Sequence, residues 1–75
     1  MLISTQIKVF PAGSRKASLE ISSVIPRKAI DALAEKLGVE AGEAAEKSFK
    51  AMQKNNGDLM QFRVGDNRIR IAQVA

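Results

Sequence analysis

The sequence predicts an α+β domain in which two helices cover one face of an antiparallel sheet built from two hairpins, in the order strand, strand, helix, helix, strand, strand. Three observations carry this. Apolar and polar residues alternate near both ends of the chain, apolar residues recur at three and four positions through the middle, and the period changes at Pro26, Gly38 and Asn55-Asn56-Gly57.

The first strand is expected over Ile3 to Val9, where Ile3, Ile7 and Val9 alternate with Ser4, Gln6 and Lys8. Pro11, Gly13 and Ser14 then turn the chain. Ala17, Leu19 and Ile21 resume the alternation against Ser18, Glu20 and Ser22, giving a hairpin whose loop carries Arg15 and Lys16.

Ala29, Ile30, Leu33, Ala34 and Leu37 share one face of a helix from Pro26 to Leu37, with proline in the first turn where its missing N–H costs nothing. Gly38 is expected to stop it in a left-handed conformation, with Val39 making the hydrophobic contact of a Schellman cap. A second helix, from about Glu40 to Lys54, presents Ala44, Ala45, Ser48, Phe49 and Met52, small enough in part for close packing. Glu43 with Lys47 and Glu46 with Lys50 support it as i, i+4 pairs.

The last hairpin alternates Met60, Phe62 and Val64 with Gln61 and Arg63, then Ile69 and Ile71 with Arg68 and Arg70. A two-residue turn at Asp66-Asn67 sets Val64 opposite Ile69, Phe62 opposite Ile71 and Arg63 opposite Arg70. Two other arrangements satisfy the pattern: hairpins in separate sheets, or one hairpin exchanged with a second copy, since small domains often complete their cores by dimerising.

Length and composition narrow the functional classes. The 75 residues form one domain, which buries roughly 60% of its unfolded surface and leaves little room for a deep cavity. With 45% hydrophobic and 27% charged residues the chain has the composition of a globular domain. It contains neither cysteine nor histidine, so disulfides, the usual zinc sites, thiol nucleophiles and the serine triad are excluded. Asp31 with Glu35 is an ordinary surface pair, and no phosphate loop accompanies it. The expectation is a binding protein with no catalysis, cofactor or metal. Met1 to Gln6 combine no basic segment with a long apolar run, so neither a secretory signal nor an anchor is expected, and the default address is the cytoplasm.

The net charge of +4 is unevenly placed. Residues 1–28 hold Lys8, Arg15, Lys16, Arg27 and Lys28 against Glu20, residues 29–58 are slightly acidic, and Arg63, Arg68 and Arg70 face Asp66 alone at the end. Arg63, Arg68, Arg70 and Gln61 fall on the ribbon face away from the core, where like charges opposed across a ladder are unfavourable without an anion over them. They suit a phosphate backbone or guanine edges in a major groove. The same face serves as well as a solvated surface that keeps an edge soluble. Arg27 and Lys28 stand at a helix N-terminus, where free N–H groups and two cations could hold a phosphate. Long exposed side chains reaching away from the dipole are the favoured explanation of them.

Base stacking on aromatics is the signature of single-strand modules, and the chain has no Trp or Tyr and only Phe10, Phe49 and Phe62. Phe10 alone lies off the core parity. Duplex DNA is therefore the expected nucleic acid. Ser18-Leu19-Glu20-Ile21, Ile25-Pro26 and Leu33 to Val39 followed by a second helix resemble the ribbon-helix-helix regulators, which implies Ser18, Glu20 and Ser22 entering a major groove from a dimer. Ile25-Pro26, Leu37-Gly38-Val39 and Gly57 to Phe62 resemble swapped-hairpin regulators of the AbrB type. Both resemblances imply a dimeric transcriptional regulator on duplex DNA. The competing expectation is a protein-interaction module, such as a small inhibitor, antitoxin-like or adaptor domain, acting through a sheet edge or the acidic helical face.

Overall fold

The computed structural model describes residues 2–75 and has the expected element order. It comprises β1 (Ser4–Phe10), β2 (Leu19–Ser23), α1 (Pro26–Leu37), α2 (Val39–Lys54), β3 (Leu59–Val64) and β4 (Asn67–Val74). The strands form a single antiparallel sheet of order β2-β1-β4-β3. The hairpins thus join within one chain, through the pairing of β1 with β4 from Ser4↔Val74 to Phe10↔Arg68.

Both helices lie on one face. Helix α1 covers β1 and β2, and α2 covers β3 and part of β4. Ile7, Val9, Ile69 and Ile71 project from the two central strands into a core completed by Ala29, Ile30 and Leu33 of α1 and by Ala41, Ala45, Phe49 and Met52 of α2. Period-two alternation in the strands and a three-to-four spacing in the helices converge on this layer because each presents one apolar face. Ala44 and Ser48, expected in the α2 stripe, are half-buried, and Ala41 and Gly42 replace them at its start.

The junction between the helices differs from the expected Schellman cap. Gly38 has φ 102 and ψ 168, a region open essentially to glycine alone, and it both receives the end of α1 and begins α2. Val39 is the first residue of α2 and is 70% exposed, so it makes no capping contact. The Schellman geometry occurs instead at the end of α2, where Asn56 (φ 54) is left-handed, its N–H donates to Gln53 O, and Gly57 N–H donates to Met52 O at 2.8 Å.

The hairpin register also corrects the expectation. Gly65 and Asp66, not Asp66 and Asn67, form the turn between β3 and β4, and Gly65 takes φ 58 as its first central residue, as a type II′ turn demands. Phe62 consequently faces Ile69, Met60 faces Ile71, Arg63 faces Arg68, and Gln61 faces Arg70. The slip is two residues along the partner strand. It leaves every side chain on its expected face, because strand parity is preserved.

Candidate nucleic-acid interface

With the helices confined to one side, the other face of the sheet is uncovered. Its residues follow from parity: Ser4, Gln6, Lys8 and Phe10 on β1, Glu20 and Ser22 on β2, Leu59, Gln61 and Arg63 on β3, Arg68, Arg70, Ala72 and Val74 on β4. The pairing lines them up in rows across the strands. One row runs Glu20, Lys8, Arg70, Gln61, and the next runs Phe10, Arg68, Arg63.

Two like-charge pairs therefore stand directly opposite one another, Lys8 with Arg70 and Arg63 with Arg68. Such pairs oppose folding unless something offsets them. Four local interactions do so in part. The guanidinium carbons of Arg68 and Arg70 lie 5.5 and 5.3 Å from the centre of the Phe10 ring, within cation–π range. Arg68 Nη2 donates to Ser14 O at 3.1 Å, and Lys8 lies 3.9 Å from Glu20. The Nε–H of Arg70 is covered and has no acceptor among the described residues, an unmet donor in the middle of the face.

The Arg68–Ser14 bond brings the β1–β2 loop against the same end of the sheet. That loop is shaped by a turn closed from Ser14 N–H to Pro11 O, and by the Ser14 hydroxyl accepting from Lys16 N–H at 3.1 Å. It sets exposed Arg15 and Lys16 beside the Phe10 row.

Lys8, Arg15, Lys16, Arg63, Arg68 and Arg70 thus belong to the open face and its rim, against only Glu20 and Asp66. The helical layer, with the loop that follows it, holds the other six cations and the other six carboxylates. The whole net charge of +4 resides on the sheet side, because Arg27 and Lys28 at the start of α1 balance the slightly acidic stretch 29–58. Six cations converging on a face that no other described residue covers give it a concentrated positive potential.

Of the residues expected at the site, Arg63, Arg68, Arg70 and Gln61 are together, and Arg15 and Lys16 adjoin them. Arg27 and Lys28 are not. They begin α1 on the opposite side of the sheet, and Arg27 Nη2 donates to Glu46 Oε1 at 3.1 Å, with Asp31 3.9 Å away. Lys50 reaches Glu46 at 3.4 Å, as its i, i+4 spacing predicts. Arg27 is thereby a tie between the helices. Lys8 and Phe10 were absent from the expected set, although parity placed both away from the core. Only the pairing of β1 with β4 sets them beside Arg70 and Arg68.

The tie has a pH signature. The hydrogen bond and charge of Arg27, aided by Lys50, hold the Glu46 carboxyl below its ordinary value of 4.5. A depressed carboxyl contributes its stability in full above pH 4.5 and loses it as pH falls through the folded value. In E46Q the acid side of the stability curve is expected to be shallower than in the unaltered protein, by a small amount because the pair is solvated. Melting temperatures from neutral pH down to about pH 3 check this, since carboxylates take up protons within that range. Parallel curves would show that the tie contributes nothing.

The fold and face define a two-layer α+β protein with a charge-balanced helical side and a basic open sheet. Comparison with protein-family models, with curated proteins and with solved structures finds no match, so its function is argued from this geometry.

Proposed function

We propose that this domain binds nucleic acid without catalysis, on the open face of its sheet, with Lys8, Arg63, Arg68 and Arg70 opposing phosphates and Arg15 and Lys16 extending the contact at the rim. The observation that carries this reading is the pair of directly opposed like charges, Lys8 with Arg70 and Arg63 with Arg68, on a face that no other described part of the chain covers. A sheet needing only solubility gains as much from charges of mixed sign, without cross-strand repulsion. A bound polyanion turns the repulsion into attraction.

A dimeric regulator acting on DNA is the biological form of this activity implied by the resemblances to ribbon-helix-helix and swapped-hairpin proteins. The binding itself is tested first. Fluorescence anisotropy of labelled oligonucleotides, titrated at two or more salt concentrations, is expected to show log K falling with log salt with a slope of about −3 to −4. That is the value for four to six phosphate contacts on a single strand, and it steepens on a duplex. Binding that salt leaves unchanged, or none at low salt, would overturn the reading and direct attention to a protein partner at a sheet edge.

A further inference from the structure

Beside Arg70, toward the β3 edge, the open face contains a hollow of about 160 Å³ lined by Gln6, Lys8, Leu59, Arg70 and Ala72. Its lining mixes apolar surface, from Leu59 and Ala72, with an amide and two cations. Resting on the reading of this face as a nucleic-acid surface, we propose that the bound strand is single and that one of its bases sits in this hollow.

The width of the sheet argues first. Three strand spacings separate the axes of β2 and β3, about 14 Å before side chains are counted. A major groove is about 12 Å wide and admits a helix or a two-stranded ribbon. Arg68 and Arg70 stand on β4, which is flanked by β1 and β3, so they cannot enter a groove unless the neighbouring strands enter with them. Against a duplex this face meets phosphates alone.

The chemistry of the hollow argues next. The flat faces of bases are buried by stacking in a duplex and free only in a single strand, whose bases can be splayed onto protein. A base seated over Ala72 and against Leu59 covers apolar surface on its faces and meets the Gln6 amide at its edge. In the neighbouring row the Arg68 and Arg70 guanidiniums lie against the Phe10 ring, a cluster of the planar groups on which single-stranded nucleic acid stacks. The chain is poor in aromatics, yet the one aromatic off the core parity stands on this face.

The experiment compares four labelled oligomers of equal length by anisotropy: a pyrimidine DNA strand, its RNA counterpart, an abasic strand and a duplex. The variants A72L, which fills the hollow without altering charge, and L59A, which removes one wall at an exposed edge, are measured alongside. Circular dichroism confirms that each is folded.

A base-bearing strand of either sugar is expected to bind about tenfold or more tighter than the abasic strand. A72L is expected to lose most of that gain, and L59A to lose part of it. Equal binding of base-bearing and abasic strands, an unaltered gain in A72L, or tighter binding of the duplex would overturn the single-strand proposal and leave the nucleic-acid reading standing. No binding of any oligomer would overturn both.

Discussion

Changing Arg63, Arg68 and Arg70 together to alanine is expected to weaken oligonucleotide binding on the order of a hundredfold at low salt and to flatten the salt slope by about two. Each arginine that neutralises a phosphate releases a condensed counterion, so removing three removes roughly three times the single-strand increment of about 0.7. Lys8, Arg15 and Lys16 remain, and a residual salt-dependent affinity remains with them. The same variant separates binding from folding. None of the three arginines belongs to the core, and all three take part in opposed like-charge pairs. Its melting temperature is therefore expected to stay within a few degrees of the unaltered protein, the range of ordinary surface substitutions. Unchanged affinity in a folded variant would show that the basic face is only a solvated surface.

Gly42→Ala is expected to destabilise the fold by about 1 kcal/mol or more, although alanine is the better helix former by about that amount. The reason lies in the helix crossing. A Cβ added at Gly42 would stand 2.6 Å from the Cβ of Ala34 and 3.4 Å from its Cα, and neither atom can swing aside. Helices α1 and α2 must then separate over the core they close, an overpacking that costs about 1–3 kcal/mol. In a 75-residue domain of about 4–11 kcal/mol total stability, the melting temperature should fall by roughly 5 °C or more. The companion variant Ala34→Gly makes the test specific: placed in the Gly42→Ala chain it restores the room, and part of the loss should be recovered despite a new glycine in α1. A rise in melting temperature for Gly42→Ala alone would mean that the helices do not approach so closely.

Much of this structure was legible because its elements are locally amphipathic. Pro26 and the spacing from Ala29 to Leu37 marked α1 to its ends, and alternation placed all four strands to within a few residues. Where local reading failed, two conformations competed for the same residues. Gly38 could end one helix with Val39 as its cap, or join two helices with no intervening loop, and only the docking of α2 on the sheet selects the second. Gly65-Asp66 and Asp66-Asn67 are both acceptable two-residue turns, and the choice rests with Ile71, which β1 holds opposite Ile7 while Met60 and Phe62 pack beneath the helices.

For the candidate site the division is sharper. The sequence by itself determined that Arg63, Arg68, Arg70 and Gln61 face away from the core, because a period of two assigns faces whatever the register, and a slip of two residues changes none of them. It determined equally that Lys8 and Phe10 point outward from the first strand. Only the tertiary structure decided that these two groups are neighbours, that a hollow lies between Gln6, Leu59 and Ala72, and that Arg27 and Lys28 are left on the other side. That decision belongs to the pairing of β1 with β4, between residues some sixty positions apart. Such a pairing is set by the shared burial of Ile7, Val9, Ile69 and Ile71 beneath two helices, and no local periodicity carries it.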